Sequence, residues 1–377
     1  MRKVKLKDIA EINPRKSEID KEAVDEVSFV AMADVSEDGF ISEHETRSLS
    51  EVYSGYTYFK KGDVLLAKIT PCFENGKAAI ADNIPNEIGF GSSEFHVFRT
   101  NGKVLPKYLF YALWNEPFRE YGSKKMTGSA GQKRVPTNFL KNYEIPLPSL
   151  SEQKTIVAKL DRAQRLIDID REMLAKYDEL IQSVFFEMFG DPRSNSKKIK
   201  TGKLGDYSFI NMGQSPKGSS YNEEGKGEPL LNGPTEFGEK YPQEKQWTTE
   251  PKKFAEIDDI LFCVRGATAG RTNLADKKYC IGRGLAAIRG EEKLGTTFIH
   301  FVLKSHYDYF QNQGQGSTFI NIAKKDLSNL EVPIPSQALQ NEFISASKEI
   351  ENQKQVTKES LKKSEKMFSS LVQEAYG

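Results

Sequence analysis

The hydrophobic pattern divides the chain into β-rich stretches and two long helical stretches. Short apolar runs separated by Gly, Pro, Asn and Asp are typical of strands. The clearest of these runs are residues 27–31, 63–69, 94–98, 260–264 and 285–288. One amphipathic helix is predicted at about residues 105–120. The pattern therefore predicts mixed, β-rich globules that carry a few helices.

Two other segments have a different character. Residues 149–188 and 336–375 contain neither Pro nor Gly, and Ser149 or Ser151 can cap the first segment with Glu152 in its first turn. At ~1.5 Å per residue, each helix would be roughly 55–60 Å long. Such uninterrupted helices are rare inside ordinary domains, which favours a helix pair over a surface helix packed on its own globule.

The long segments share a heptad pattern, because their apolar positions are spaced four and three residues apart. The first seam is Ile156, Leu160, Ala163, Ile167, Asp170, Leu174, Tyr177, Ile181 and Val184. The phase returns 187 residues later at Phe343, Ser347, Ile350, Lys354, Thr357, Leu361, Ser364, Phe368 and Leu371. Polar seam positions are costly in a dry core, so a partly hydrated, antiparallel contact is predicted.

The chain also repeats itself over its whole length. The matched segments are 6–13 with 204–211, 62–66 with 258–262, 108–113 with 298–303 and 145–148 with 332–335, at offsets of 198, 196, 190 and 187. Gly76-Lys77, Gly128-Ser129 and Gln153 return as Gly270-Arg271, Gly316-Ser317 and Gln340. The offsets fall in order along the chain, as they would in two homologous halves with different loop lengths. A duplicated domain with no particular function would give the same pattern.

Composition excludes several classes of protein. The 377 residues exceed one ordinary core, and 38% hydrophobic with 28% charged residues is typical of folded, water-soluble chains. With a formal net charge of only +1, a nucleic-acid binder would have to segregate its basic residues on one face. The N-terminus lacks the apolar core of a signal peptide, and no run approaches ~20 apolar residues. A cytoplasmic protein without membrane contact is therefore predicted.

The motifs of several kinds of catalysis are missing. Cys72, Cys263 and Cys280 lack zinc-type spacing, and neither a GxxxxGK[ST] phosphate loop nor an Asn/Asp-Pro-Pro-aromatic motif occurs. Asp63 and Lys68 lack the intervening Glu that a metal-dependent nuclease would need. His96 and His300 lie in apolar runs, as core histidines do. We therefore expect no catalytic residue, metal or cofactor in this chain.

Several of these elements together resemble a known family. Residues 145–153 (IPLPSLSEQ) enter the first long helix, residues 185–192 (FFEMFGDP) leave it, and residues 204–206 (LGD) restart the second half. This ordered, duplicated set, with a Gly-Ser loop before each long helix, resembles the specificity subunit of type I restriction–modification enzymes. The resemblance covers essentially the whole chain, although no single motif in it is specific.

The resemblance implies an α+β fold, with two pseudo-repeated β-rich target-recognition domains joined by two long antiparallel coiled-coil helices. The expected segments are target-recognition domains at residues 1–148 and 191–335, each followed by a spacer helix, at 149–190 and 336–377. It implies a non-catalytic subunit that binds double-stranded DNA at a bipartite site. Two methyltransferase (M) subunits and restriction/translocase (R) subunits would be its partners. S-adenosylmethionine, ATP and Mg would be bound only by those partners.

Polar and basic loops on the globules are the candidate DNA contacts, because Lys and Arg neutralise phosphates and polar tips read base edges. The first candidate loop in each half follows a strand. It comprises Lys68, Thr70, Phe73, Asn75 and Lys77 in the first half, and Arg265, Thr268 and Arg271 in the second. A hairpin turn with solvated charges is an equally good interpretation of both loops.

The second candidate loop precedes each long helix. It comprises Lys124, Lys125, Ser129, Gln132, Lys133 and Arg134 in the first half, and Gln315, Ser317, Thr318 and Asn321 in the second. Gln and Asn can pair with adenine, and Arg can pair with guanine. A third candidate, Gln214, Ser215 and Lys217, opens a Gly-rich insert of the second half, where a mobile surface loop is at least as good an interpretation.

Two other functions stay open on the sequence alone. A protein-interaction scaffold would use the outer faces of its helices, with Leu166, Met173 and Leu180, to gather partners without DNA. A nuclease–recognition fusion is disfavoured by the missing metal carboxylates. Salt-sensitive duplex binding would separate the DNA reader from the scaffold, and metal-dependent cleavage would support the nuclease.

Overall fold

The computed structural model describes residues 2–129, 131–312 and 320–377. The chain divides into two compact units: unit 1 comprises residues 1–171 and 359–377, and unit 2 comprises residues 172–358. Each unit combines one β-rich globule with a part of each long helix. Compactness thus groups the chain differently from the four consecutive segments expected from the sequence, since both long helices are divided between the units.

The strands of unit 1 are β1 (Lys3–Lys5), β2 (Ala10–Ile12), β3 (Glu26–Val30), β4 (Glu45–Ser48), β5 (Thr57–Lys60), β6 (Val64–Ala67), β7 (Ala78–Ile80), β8 (Ile88–Gly91), β9 (Phe95–Thr100) and β10 (Glu144–Pro146). They form sheets of order β1-β10, β2-β9-β6-β7 and β4-β3-β8-β5. All pairs are antiparallel except β3 with β8, where Val30 lies opposite Gly91.

The strands of unit 2 are β11 (Thr201–Lys203), β12 (Ser208–Met212), β13 (Tyr221–Asn222), β14 (Glu228–Leu231), β15 (Trp247–Thr248), β16 (Phe254–Ala255), β17 (Ile260–Cys263), β18 (Thr272–Leu274), β19 (Tyr279–Ile281), β20 (Leu285–Gly290) and β21 (Glu331–Pro333). Their sheets are β11-β21, β12-β20-β17-β18 and β13-β15-β14-β19-β16. The parallel pair returns as β14 with β19, where Leu231 lies opposite Ile281. The predicted duplication is therefore visible in the topology, with β13 added to one sheet.

The helices are α1 (Leu49–Val52), α2 (Pro106–Trp114), α3 (Glu116–Ser123), α4 (Thr137–Asn142), α5 (Leu150–Phe189), α6 (Thr296–Ser305), α7 (Tyr307–Asn312), α8 (Lys324–Ser328) and α9 (Gln337–Tyr376). Short 3₁₀ turns lie at Leu6–Asp8, Lys16–Glu18, Leu204–Asp206, Gly218–Ser220 and Pro234–Glu236. The prediction of one helix over residues 105–120 was wrong. Asn115 is extended (φ −66°, ψ 150°) and accepts the Phe118 N–H, so α2 ends there and a second helix begins.

The long helices α5 and α9 run antiparallel within each unit. In unit 1, Leu160 shares a core with Val372, and Arg171 reaches Glu365 at 3.3 Å. In unit 2, the Asp178 carboxylate lies 2.8 Å from the ammonium group of Lys354, a polar position of the seam. This polar seam position therefore has a partner across the helix pair. The predicted antiparallel packing of the helices is confirmed.

Aromatic side chains fill the core of each unit. In unit 1, Tyr108 and Phe118 are fully buried among the residues of α2 and α3. In unit 2, Phe189 packs edge-on against Phe298, with ring centroids 4.8 Å apart, and both rings are fully buried. Such close-packed cores hold the strand ends, and therefore the loops that leave them, in fixed positions.

A buried glutamine fastens the start of each long helix to its globule. The Gln153 amide donates to the carbonyl oxygens of Lys103 (3.1 Å) and Pro148 (3.0 Å) and accepts the Leu105 N–H (2.9 Å). Gln340 repeats the pattern in unit 2, with the carbonyls of Lys293 and Pro335 and the N–H of Gly295. Both side chains are fully buried, so the predicted Gln153–Gln340 match marks a structural clamp.

Two histidines are buried in place of catalytic ones. The His96 ring lies 2.9 Å from the carbonyl oxygen of Val135, and the His300 ring lies 3.0 Å from the Thr272 hydroxyl. Burial lowers the pKa of His96 to about 4 and that of His300 to about 3. Both positions are core residues, as the sequence predicted.

These histidines should make stability fall in mildly acidic solution. Below pH ~6.5 an unfolded histidine binds a proton that the folded protein does not bind, so the unfolded state is stabilised. Each buried histidine should contribute a slope of about 1.4 kcal/mol per pH unit until its folded pKa is approached. Urea unfolding at several pH values between 7 and 5 should show a shallower slope for His300→Gln than for the wild type. His44→Gln, at an exposed position, is the control, and equal slopes for both variants would contradict the assignment.

Candidate nucleic-acid interface

In unit 1 the two candidate loops lie side by side. The Thr70 N–H donates to the Lys133 carbonyl, and the Val135 N–H donates to the Lys68 carbonyl, both at 2.9 Å. Ile69 and Arg134 therefore face each other in an isolated antiparallel bridge. Residues 68–77 and 124–134, which are far apart in the sequence, form one surface.

Unit 2 repeats this loop bridge at the equivalent backbone groups. The Gly266 N–H donates to the Ile320 carbonyl (3.0 Å), and the Ile322 N–H donates to the Val264 carbonyl (2.8 Å). The bridged residues are Arg265 and Asn321. The candidates Gln315, Ser317 and Thr318 lie outside the described residues.

An ion pair reinforces the bridge in unit 1. Arg134 donates two hydrogen bonds to the Glu94 carboxylate, at 2.9 and 2.8 Å. Those bonds lower the pKa of Glu94. Burial lowers the pKa of the Lys68 ammonium, and the nearby Glu94 charge opposes that shift. Arg134 therefore has a structural partner, which leaves fewer of its donors for a ligand.

Exposure separates the candidates into two groups. The exposed ones are Asn75, Lys124, Lys125, Ser129, Gln132, Lys133, Gln214, Lys217, Arg265, Arg271 and Asn321. The partly buried ones are Lys68, Thr70, Lys77, Arg134, Ser215 and Thr268. The exposed group contains most of the basic tips, so it offers the donors that phosphates and base edges accept.

Several candidates in the first loop hold the loop itself. Phe73 is fully buried and packs edge-on against Phe118, so its inclusion as a DNA contact was wrong for this conformation. The Thr70 hydroxyl donates to Glu74, and the Lys77 ammonium donates to the Met32 carbonyl. The Asn75 amide, although exposed, donates to Glu37. An alternation of aromatic and polar residues does not reveal from sequence which ring faces the core.

One basic residue of unit 2 was missed. Arg283 is exposed, and its N–H donates to the Ser215 hydroxyl at 3.1 Å. The next residue, Gly284, accepts the Val264 N–H at 2.9 Å, which places this connection beside Arg265. The signal that could have found it is the sequence Gly-Arg-Gly at 282–284, where an arginine tip sits between two glycines that join two strands.

The third candidate segment joins the same surface. The Gln214 N–H donates to the Ile281 carbonyl, and the Ser215 hydroxyl holds the Arg283 backbone. Gln214 itself is exposed. Unit 2 thus brings together residues 214–217, 264–271, 282–284 and 320–321, with guanidinium, amide and hydroxyl groups in one region.

The Asp63 carboxylate, which lacks the neighbouring Glu of a nuclease site, has a structural partner. Asp63 is almost fully buried and accepts two hydrogen bonds from Arg99, and Asp259 does the same with Arg289 in unit 2. Over residues 2–129, 131–312 and 320–377, no group of three or more His, Cys, Asp or Glu side chains is placed to hold a metal ion. Within the same ranges, no helix is long and apolar enough to cross a membrane.

Comparisons with known proteins agree with this picture. A family model described as the type I restriction modification DNA specificity domain matches residues 1–176 and 195–365. The putative type I restriction enzyme MjaX specificity subunit of Methanocaldococcus jannaschii is 31% identical over 329 residues, 82% of this chain and 77% of that protein. The type I restriction enzyme EcoAI specificity subunit of Escherichia coli is 42% identical over 174 residues, 45% of this chain and 29% of that protein.

A solved structure extends the likeness to nearly the whole chain. It comes from a study of complex assembly and conformational transition of the type I R-M system, and it matches with a TM-score of 0.67 at 28% identity. The match covers 99% of this chain and 97% of that one. The chain belongs to the DNA-specificity subunit family of type I restriction–modification systems. The predicted resemblance, the fold class and the assignment as a specificity subunit rather than an enzyme are confirmed.

Proposed function

We propose that unit 1 and unit 2 each read one half of a bipartite DNA site. The observation that carries this proposal is the loop bridge, which both units build from equivalent backbone hydrogen bonds. The side chains on that shared frame differ: unit 1 exposes Lys124, Lys125 and Lys133, and unit 2 exposes Arg265, Arg271 and Arg283. One frame with different polar tips is what two different half-sites require.

The long helices supply the surface for protein partners. Leu166 and Ile169 in unit 1 are 47% and 40% exposed, and Met173 and Leu180 in unit 2 are 40% and 45% exposed. Exposed apolar side chains at helical spacing suit a protein partner, and we assign these to two M subunits. The same helices would set the number of base pairs between the half-sites.

The chemistry would belong to the partners. The M subunits would bind S-adenosylmethionine, R subunits would bind ATP and Mg, and this chain would bring both to the site. A scaffold that binds no DNA is disfavoured, because the family is one of DNA specificity.

The test is to co-express the chain with its M subunits and to map modified adenines in the host DNA. The proposal expects modification at one split motif, with two short specified halves around a spacer of fixed length. A stable complex that leaves the DNA unmodified, and that binds duplex DNA with no dependence on salt, would contradict it.

A further inference from the structure

Unit 1 carries a hairpin, residues 35–41, that reaches the long helices. The Ser36 N–H donates to the Phe40 carbonyl at 2.9 Å. Gly39 at the turn has φ +91°, and a Cβ there would lie 2.6 Å from the ring of Phe110. The indole N–H of Trp114 donates to the Glu37 carbonyl at 3.1 Å. The hairpin is therefore seated on α2 with its tip at Asp38.

The tip of this hairpin ends in a chain of ion pairs. One guanidinium nitrogen of Arg171, on α5, lies 3.1 Å from the Asp38 carboxylate. The other lies 3.3 Å from the Glu365 carboxylate, on α9. A single arginine therefore joins the globule of unit 1 to both helices of that unit.

Unit 2 has the same arrangement at its own hairpin, residues 237–242. The Gly238 N–H donates to the Tyr241 carbonyl at 3.1 Å. The Glu239 carboxylate contacts the ammonium groups of Lys354 (3.0 Å) and Lys358 (2.5 Å) on α9. Lys354, which is nearly buried, also contacts Asp178 on α5 at 2.8 Å.

The two arrangements occupy equivalent positions of the duplicated chain. Lys358 lies 187 residues after Arg171, and Glu365 lies 187 residues after Asp178, the same offset as the helix seams. Glu239 follows Asp38 by 201 residues, as Leu231 at the end of β14 follows Val30 at the end of β3.

The sign of each charge is kept, although each residue type has changed. Asp has become Glu at the hairpin, Arg has become Lys, and Asp faces Glu on the other helix. Two halves that have diverged this far retain an acid–base–acid bridge rather than particular side chains. We call each one a hairpin bridge: Asp38–Arg171–Glu365 in unit 1, and Glu239–Lys354/Lys358–Asp178 in unit 2.

Stability alone does not explain these bridges. The three side chains of unit 1 are 46–55% exposed, and exposed ion pairs contribute only about 0–1 kcal/mol to folding. What they do accomplish is geometric. Each bridge holds the hairpin that follows the parallel pair of a globule against α5 and α9 of the same unit, which limits rotation of the globule on the helices.

We propose that the hairpin bridges are positioning devices, which fix each globule on its part of the helix pair and thereby set the spacer length accepted between the half-sites. The part concerning spacer length rests on the proposed function. The attachment of the hairpins to the helices does not, and it can be measured without DNA.

The first measurement is hydrogen exchange in the full chain carrying Asp38→Asn with Glu239→Gln. Both changes keep the side-chain shape and remove the charge from the hairpin. The Ser36 and Gly238 amides should exchange about tenfold faster than in the wild type, equivalent to 1.4 kcal/mol. Glu43→Gln with Glu224→Gln is the matched control, since these exposed residues lie one in each unit and remove the same two charges. Unchanged exchange in the hairpin variant would overturn the proposal.

The second measurement is the modified motif of the same variants co-expressed with M subunits. Relative to the wild-type spacer, modification at sites one base pair shorter or longer should rise about tenfold, which corresponds to 1.4 kcal/mol, with both half-sites unchanged. Asp38→Glu with Glu239→Asp should restore wild-type selection. Faster exchange with unaltered spacer selection would overturn the positioning role. If the wild type modified no split motif, the proposed function would fail, and exchange would still decide the bridge.

Discussion

Replacing Gln153 with alanine is expected to lower the free energy of unfolding of unit 1 by about 2–4 kcal/mol. The amide makes hydrogen bonds with Lys103, Pro148 and Leu105, and the side chain is fully buried. Alanine would leave two carbonyl oxygens and one N–H without partners and would open a void at the start of α5. Gln340→Ala should have a similar effect on unit 2, because its contacts are the same.

The two effects can be measured separately by tryptophan fluorescence during urea unfolding. Trp114 lies in unit 1 and Trp247 in unit 2, so Trp247→Phe leaves a reporter for unit 1 and Trp114→Phe leaves one for unit 2. Gln373→Ala, at an exposed position of α9, is the control and should change the free energy by less than about 0.5 kcal/mol. A loss at Gln153 no larger than this control would show that water replaces the clamp.

Removing three arginines from unit 2 should abolish most of its DNA affinity. Arg265, Arg271 and Arg283 are exposed, and none of them forms an ion pair with another residue that the structure describes. An arginine that contacts a base contributes about 1–3 kcal/mol. The triple alanine variant, assembled with its M subunits, should therefore bind the cognate duplex at least about 100-fold more weakly.

The matched control removes three lysines from the same unit. Lys197, Lys200 and Lys203 are exposed and lie on β11 or just before it, and their replacement by alanine changes the charge equally. This variant should retain duplex affinity within about threefold, since the control changes only the long-range field. Equal losses in both variants would show a general effect of charge and would remove the arginines from the interface.

Salt and sequence then distinguish the roles of the three arginines. Loss of a phosphate contact lowers the salt slope by about 1 and weakens binding to all sequences alike. Loss of a base contact weakens binding to the cognate half-site alone. Single variants measured on cognate and altered duplexes at two salt concentrations would therefore assign Arg283, the residue that the sequence did not indicate.

The repetition of the chain made most of the architecture predictable. Two homologous halves fold alike, so ordered matches such as Gln153 with Gln340 predict equivalent contacts in the two halves. The heptad spacing located the inward face of α5 and α9 because only that face is apolar over the whole length. The strands with continuous apolar runs, such as β6 and β17, were predictable because such runs are typical of buried strands.

Features that depend on tertiary contacts were not predictable. Asn115 ends α2 through a cap, although the apolar pattern runs through it. Two-residue strands such as β15 have too few positions for any periodicity. The loops are ambiguous because the same residues can serve the fold or the ligand: Phe73 joined the core and Arg134 paired with Glu94, whereas Lys133 stayed exposed.

The hairpin bridges show the same limit from another side. Asp38 and Glu239 are single acidic residues in polar loops, and no spacing connects them to helices more than a hundred residues away. Only the fold brings Arg171 to the first and Lys358 to the second. Their equivalence follows from the strand pairing of the two halves, which no charge pattern in the sequence indicates.

The most direct test of the central claim is to exchange residues 1–145 for the corresponding segment of another specificity subunit and to map modified adenines in the co-expressing host. If each unit reads its own half-site, one half of the split motif should change while the other half and the assembly with M subunits are retained. A motif that changes in both halves, or one that does not change at all, would contradict the account.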